Sequence, residues 1–317
     1  MSSGFQAGSW LSLVPRRLLL GTRMWRINES ETMNSNNYNQ QQEVIGLIPA
    51  GGQATRISPL PSSKELYPIG FRQHEDGSLR PKVVSHYLLE KMRRAGIEKA
   101  YFLLRPGKWD IPAYFGDGTM LDMYLGYLVV RLPYGVPYTL DQAYPFVKNA
   151  IVAIGFPDIL FSPDHTFKRL LTRLANGKAD VVINLLPFEH PHKGGMVDFD
   201  SEGRVRLIVE KPQQSDLRYS WCAAVWTPVF TQFMHEYLVA IEVKRSHNHS
   251  PNQLLPRREI PIGDLIQAAI DNGLQVEAEL FEDEPYLDIG TPADLLRAVR
   301  RFADRDLELP FDPKNIH

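Results

Sequence analysis

The run Val44-Ile45-Gly46-Leu47-Ile48-Pro49, halted by Gly51-Gly52, constrains the fold more than any other stretch of the chain. A short, unbroken apolar segment bounded by glycines reads as a strand buried on both faces of a parallel sheet. Further strands are expected at Lys99 to Leu104, Ile151 to Gly155, Ala179 to Leu186, Trp221 to Trp226 and Leu274 to Phe281. Helical apolar spacing separates them. Lys82 to Ala95 opens after Pro81 and closes at Gly96, and Asp164 is placed to cap a helix running to Ala175. Pro228 to Val243, Ile262 to Asn272 and Thr291 to Phe302 complete the helices, and Met196 to Val209 reads as a hairpin around Ser201-Glu202-Gly203. Strands alternating with helices predict an α/β fold with a mostly parallel sheet. Ligands bind beyond the carboxyl ends of such strands, which directs attention to residues 50–64, 156–158 and 288–291.

Composition narrows the function classes. Of 317 residues, 35 are Lys or Arg and 37 Asp or Glu, a net charge of −2 that argues against a nucleic-acid footprint. The one cysteine, Cys222, excludes a disulfide framework and a Cys-rich zinc site, and is expected as a small buried apolar side chain. No run approaches the ~18–20 apolar residues of a membrane span. Residues 1–28 lack acids and carry Arg16, Arg17, Arg23 and Arg26. They read as a transit peptide, or as an unstructured extension, or as the product of a start placed before Met24 or Met33. The polar tract Asn34 to Gln42 cannot bury a core. The expected division is an N-terminal extension over 1–42, one folded domain over 43–306 and a tail over 307–317. His247-Asn248-His249 is expected in a solvated polar loop rather than at a metal.

The chemistry-bearing residues begin with Ala50-Gly51-Gly52-Gln53-Ala54-Thr55-Arg56, followed by Lys64. A glycine pair after a strand lets backbone N–H groups approach an anion. Thr55 adds a hydroxyl, Arg56 a guanidinium fork and Lys64 a point charge, together a cradle for a polyphosphate. A Gly-Gly turn also has a purely structural explanation. The segment lacks the G-x-G-x-x-G dinucleotide fingerprint and the Gly-Lys-Ser/Thr of a Walker loop.

Gly46 to Leu60, then Ser63-Lys64-Glu65-Leu66-Tyr67-Pro68-Ile69, resembles the signature of sugar-1-phosphate nucleotidyltransferases, the glucose-1-phosphate thymidylyl- and uridylyltransferases in particular. The resemblance continues in order through Arg94-Ala95-Gly96-Ile97, Gly116-Asp117-Gly118, Leu140-Asp141-Gln142-Ala143, Gly155-Phe156-Pro157-Asp158, Gly195 to Asp200, Val209-Glu210-Lys211-Pro212 and Tyr286 to Thr291. It implies a three-layer Rossmann-like sandwich with a mostly parallel mixed central sheet. It also implies attack of a sugar 1-phosphate on the α-phosphate of an NTP, dTTP or UTP foremost, with release of pyrophosphate.

The same resemblance implies the roles. Arg56 would hold the leaving β,γ-phosphates, and Lys64 would neutralise the α-phosphate and the incoming phosphate. Asp158 and Asp288 would bind Mg²⁺, although a lone Asp after a strand is ordinarily a turn residue or cap. Ala50, Gly51, Gly52, Thr55 and Gln142 would line the nucleotide, Gln142-Ala143 as a helix start near the base. Gly195, Glu210 and Lys211 would meet the sugar phosphate. Members of the family are often dimers or tetramers, so a homo-oligomer in the cytoplasm is an expectation of the resemblance alone.

Departures leave two alternatives open. Ala54 replaces a glycine, so the nucleotide loop is expected to differ in detail, and it is about two residues shorter before Lys64. Residues 71–80 look inserted. Residues 119–141 contain no Gln or Asn, leaving Tyr134 or backbone groups to read the base. Gly194 stands where the family has Tyr, and Phe156-Pro157 lengthen the metal motif. A different phosphorylated acceptor, such as a phospho-alcohol or cyclitol phosphate, fits these changes, as does a non-catalytic nucleotide-binding regulator.

Overall fold

A computed structural model describes residues 42–74, 76–130, 134–248, 259–282 and 286–307. The expected extension and tail, apart from Gln42 and Leu307, lie outside the described residues, as does His249. In chain order the elements are β1 (Val44–Ala50), β2 (Pro68–Gln73), β3 (Leu79–Val83), α1 (Val84–Arg94), β4 (Lys99–Leu104), α2 (Asp110–Phe115), β5 (Tyr124–Val129), α3 (Val136–Asp141), α4 (Tyr144–Val147), β6 (Ile151–Gly155) and β7 (Ile159–Leu160). There follow α5 (Thr166–Asn176), β8 (Val181–Pro187), β9 (Gly195–Phe199), β10 (Val205–Glu210), β11 (Tyr219–Ser220), β12 (Ala223–Trp226), α6 (Pro228–Asn248), α7 (Ile262–Asp271), β13 (Val276–Leu280), β14 (Leu287–Asp288) and α8 (Pro292–Leu307).

Ten strands form one mixed sheet in the order β10-β9-β11-β8-β12-β6-β1-β4-β5, with β13 paired to β8. β6, β1, β4 and β5 run parallel, while β12 is antiparallel to both β6 and β8. Successive side chains of a strand point to opposite faces. Thus Ile48, Phe102, Ala153 and Val182 pack on the side of α1, α2 and α5, whereas Leu47, Leu103, Val152 and Ile183 pack on the side of α3, α6 and α7. Both faces are covered, which is why the central strands read as continuous apolar runs. Full burial of each such large side chain contributes roughly 1.5–3 kcal/mol. A third cluster, with Ile69, Leu160, Ile289 and Phe302, holds β2, β7 and α8 together at one end of the sheet. Among the described residues no helix is long and apolar enough to cross a membrane.

Several boundaries differ from the sequence expectation. Helix α1 starts at Val84 rather than Lys82, because Lys82 and Val83 finish β3, which pairs antiparallel with β2. Of residues 71–80, read as an insertion, all but Glu75, which lies outside the described residues, belong to this hairpin. Pro81 opens no helix; it sits in a two-stranded ladder whose edges tolerate proline. Asp164 does not cap α5; its carboxylate takes Lys91 and Arg94 of α1 instead. α6 continues through Asn248, so His247 lies in a helix, not a loop. The strand expected over Trp221 to Trp226 breaks at Trp221-Cys222, where the buried Asn184 Oδ1 accepts from the N–H groups of Cys222 and Ala223 at 2.9 and 2.7 Å. Cys222 is fully buried, and burial pushes its thiol up to about 12.

Candidate active site

β1 delivers the buried Ala50 to the top of the parallel half of the sheet, and the chain turns through Gly51 and Gly52. The turn closes on the Ala54 carbonyl, which accepts from Ile57 N at 3.1 Å and Ser58 Oγ at 2.8 Å. Ala54 itself adopts φ +54°, a left-handed backbone that costs a residue with a Cβ about 1–2 kcal/mol. Ala54 therefore carries in this loop a backbone conformation that glycine adopts without strain. Ala54→Gly is expected to stabilise the fold by about 0.5–1 kcal/mol, the relief of strain exceeding the extra freedom glycine gives the unfolded chain. Urea unfolding reads this directly, and an unchanged or lowered midpoint would show that the strain is not present in solution.

Lys64 opens a single 3-10 turn whose entry is pinned from the neighbouring α2. Asp110 Oδ2 accepts from Ser63 N at 2.6 Å and Oδ1 from Ser63 Oγ at 2.7 Å. The Lys64 ammonium pairs with Asp158, just past β6, and only 14% of either side chain is exposed. Burial opposes the lysine charge, but the Asp158 carboxylate outweighs it and raises the Lys64 pKa. Asp288 arrives from a distant part of the chain through the β7–β14 ladder, where it pairs with Ile159, and Ile289 N donates to Asp158 O at 3.1 Å. Its carboxylate accepts from Gly290 N at 2.8 Å and from Arg56 Nη2 at 3.5 Å. Burial raises the Asp288 pKa, and the charge of Asp158 adds to it. Arg56, Lys64, Asp158 and Asp288 thus meet in one place. Two mutually repelling carboxylates face two cations there, an arrangement that a divalent cation would relieve. Among the described residues no cluster of three or more His, Cys, Asp or Glu assembles. A cation held here would draw its remaining ligands from phosphate and water, which is how Mg²⁺ is usually bound.

The residues expected at the sugar phosphate are brought together by the β9–β10 hairpin and α7. Gly195 is the register partner of Glu210, and Glu210 Oε1 accepts from Gly263 N at 3.1 Å. A Cβ on Gly195 would lie 2.9 Å from that oxygen and one on Gly263 2.0 Å, so the glycines are what let the carboxylate sit there. Burial raises the Glu210 pKa. Lys211 is exposed, takes φ +46° and donates its N–H to Gly194 O at 3.0 Å. A Cβ on Gly194 would stand 2.4 Å from Tyr286 Oη and 2.6 Å from Ser220 Oγ. The space in front of Gly194 is thus filled from β11 and from the start of the Tyr286 to Thr291 segment. Tyr286 stacks on Phe188 at 4.4 Å, and Trp221 tilts toward Phe156 at 6.3 Å.

The residues expected near a base are more scattered. Gln142 is exposed at the C-cap of α3, not at a helix start; Ala143 is the buried N-cap of the four-residue α4. Thr55 is exposed in the loop turn, and Tyr134 packs edge-on against Tyr138 at 5.9 Å. What α3 presents to the loop is Thr139, whose Oγ1 lies 3.8 Å from where a Gly51 Cβ would sit. Sequence reading missed Thr139 beside Gly51 and Trp221 beside Gly195. It also missed the buried ion pair of Lys108 Nζ with Glu65 Oε1 at 2.5 Å, directly behind Lys64.

The nucleotidyl transferase family model matches residues 45–305. A glucose-1-phosphate thymidylyltransferase of Streptomyces antibioticus is 28% identical over 269 residues, covering 83% of this chain and 67% of that protein. A low-salt glycan biosynthesis nucleotidyltransferase of Haloferax volcanii is 26% identical over 80% of this chain, which spans only 64% of that protein's length. Among solved structures, a UDP-glucose pyrophosphorylase complexed with UDP-glucose superposes with a TM-score of 0.64 at 18% identity, over 83% of this chain and 100% of that one. That likeness carries the fold. The family match, spanning the whole sheet and every residue gathered at its carboxyl ends, carries the assignment: the chain belongs to the nucleotidyl transferase family.

Proposed function

We propose that the protein transfers a nucleoside monophosphate from an NTP, dTTP or UTP foremost, to a sugar 1-phosphate, forming an NDP-sugar and pyrophosphate. The observation that carries this reading is the meeting of Lys64, Asp158, Asp288 and Arg56 at the lip of the Gly51-Gly52 loop. A phosphate oxygen of the acceptor forms a bond to the α-phosphorus, and the bond from that phosphorus to the β-bridging oxygen breaks with its electron pair. The protein supplies position and charge rather than covalent chemistry. Loop amides orient the phosphates, Lys64 neutralises the α-phosphate and the incoming anion, and Glu210 accepts from sugar hydroxyls beside the Gly195 N–H. Magnesium bound by Asp158 and Asp288 would supply charge neutralisation between the phosphates. A pyrophosphate-release screen of the common NTPs and dTTP against sugar 1-phosphates, with and without Mg²⁺, tests the reading. Failure of every pair, with binding of nucleotide retained, would point to the non-catalytic alternative.

The ring contacts near Glu210, Trp221 against Phe156 and Tyr286 against Phe188, with Gly194 covered by Tyr286 and Ser220, favour one further reading, a different phosphorylated acceptor. Phospho-alcohols and cyclitol phosphates therefore belong in the same panel.

Glu210 gives a pH signature. Its pKa is raised by burial, so the acceptor form is lost, and KM for the sugar phosphate rises, as pH falls through a value above the usual carboxylate range. Glu210→Gln is expected to raise that KM about tenfold at neutral pH and to remove the inflection. The phosphate's own ionisation near ~6 is common to both proteins, so the difference between their profiles isolates Glu210. Stability runs the other way. A raised pKa means the folded state holds its proton longer, so this contribution is present at low pH and lost as pH rises through the raised value. Glu210→Gln is then expected to unfold at a higher temperature than the parent at neutral pH.

A further inference from the structure

Beside the nucleotide loop lies a pocket of about 180 Å³, walled by the loop residues Gly52 to Ala54 and Ser62 to Lys64 and, across from them, by Arg105 and Lys108 from the turn after β4. Its walls carry cations and hydroxyls, and among the described residues no acid lines it. Two of its three cations are already committed, Lys64 to Asp158 and Lys108 to Glu65. Arg105 is half-buried, and among the described residues its guanidinium has no hydrogen bond or ion pair. The pocket is small, and its lysine, arginine and serine side chains suit phosphoryl oxygens. Arg56, expected to hold the leaving phosphates, is instead drawn to Asp288 and is 60% exposed. The Arg105 turn follows the strand that pairs directly with β1, so both walls rise from adjacent carboxyl ends of the parallel sheet.

We propose that Arg105 binds the β- and γ-phosphates of the NTP and therefore the departing pyrophosphate. The inference rests on the nucleotidyl-transfer reading. When the α-phosphorus bond to the bridging oxygen breaks, the electron pair stays with the pyrophosphate, and a guanidinium already facing that oxygen set takes up the added charge without reorganisation. No proton or redox partner is needed.

The reverse reaction separates this role from every other. Pyrophosphate then enters as a free substrate, while the NDP-sugar carries the base, the α-phosphate and the sugar. Arg105→Gln is expected to raise KM for pyrophosphate by roughly 10- to 100-fold and to leave KM for the NDP-sugar within twofold, with Arg105→Lys in between. Calorimetric titration of inorganic pyrophosphate into the parent and the Arg105→Gln protein, in magnesium-containing buffer, should show the same loss without turnover. An unchanged pyrophosphate KM, or an equal rise for the NDP-sugar, overturns the assignment of Arg105 while leaving the parent activity standing. A parent protein that makes no NTP from any NDP-sugar and pyrophosphate overturns the underlying reading itself.

Discussion

Lys64→Ala is expected to lower turnover by about 10²–10³-fold, the usual loss when one fixed donor to a developing charge is removed. The ammonium is held by Asp158 in a setting where only 14% of either side chain is exposed. The pair keeps the cation at the loop lip before any phosphate arrives, and burial strengthens its field. Lys64→Arg should restore little, because a planar fork on a longer stem cannot occupy the site of a compact point charge. The substitution also has a structural consequence. Without Lys64, Asp158 and Asp288 face each other with Arg56 exposed and Lys108 already paired to Glu65, and the unfolding midpoint should fall. Asp158→Asn in the same protein should recover that stability but no activity. Single-turnover rates and thermal unfolding of the two variants measure both effects. Turnover within tenfold of the parent for Lys64→Ala would move the charge-neutralising role to another residue.

How much of this was legible in the sequence depended on how locally each feature is encoded. The run at Val44 and the pattern at Ile151 announce strands because both faces of the sheet are covered, leaving no polar alternation to confuse the reading. The loop from Ala50 to Lys64 is legible because its glycines and cations are neighbours in the chain. β5 escaped notice: it is only partly buried and carries Gly126, whose missing side chain admits the Tyr101 ring. Pro81 misled because proline suits a helix entry as well as a strand edge. Arg105 and Trp221 have no spacing that links them to a site; strand order alone brings them there. Asp158 and Asp288, 130 positions apart, were placed by resemblance, and the β7–β14 ladder is the physical reason they are neighbours.

The turn that carries Lys64 rests on a buried charge, and removing its partner should be costly. Glu65 is 1% exposed and Lys108 7%, joined at 2.5 Å, while Glu65 Oε2 is buried with no hydrogen bond. Burial raises the Glu65 pKa and lowers that of Lys108, each shift only partly opposed by the other's charge, so desolvation outweighs the pairing on both sides. Such a pair adds little net stability, yet breaking it strands a carboxylate in the interior. Lys108→Met is expected to destabilise the fold by about 3–5 kcal/mol. The double variant Glu65→Leu, Lys108→Met should regain most of that, since apolar groups of similar size remove the need for compensation. Denaturant unfolding of the two single variants and the double one gives the coupling energy, expected to exceed about 2 kcal/mol. Activity should not follow stability. Lys108 ties the turn after β4 to the turn of Lys64, and a repacked apolar contact has no directional bond to hold that register. The double variant is therefore expected to be stable and slow, with the loss in turnover rather than in KM for the sugar phosphate. A stable double variant with parental turnover would show that Asp110 alone, through Ser63, fixes the turn.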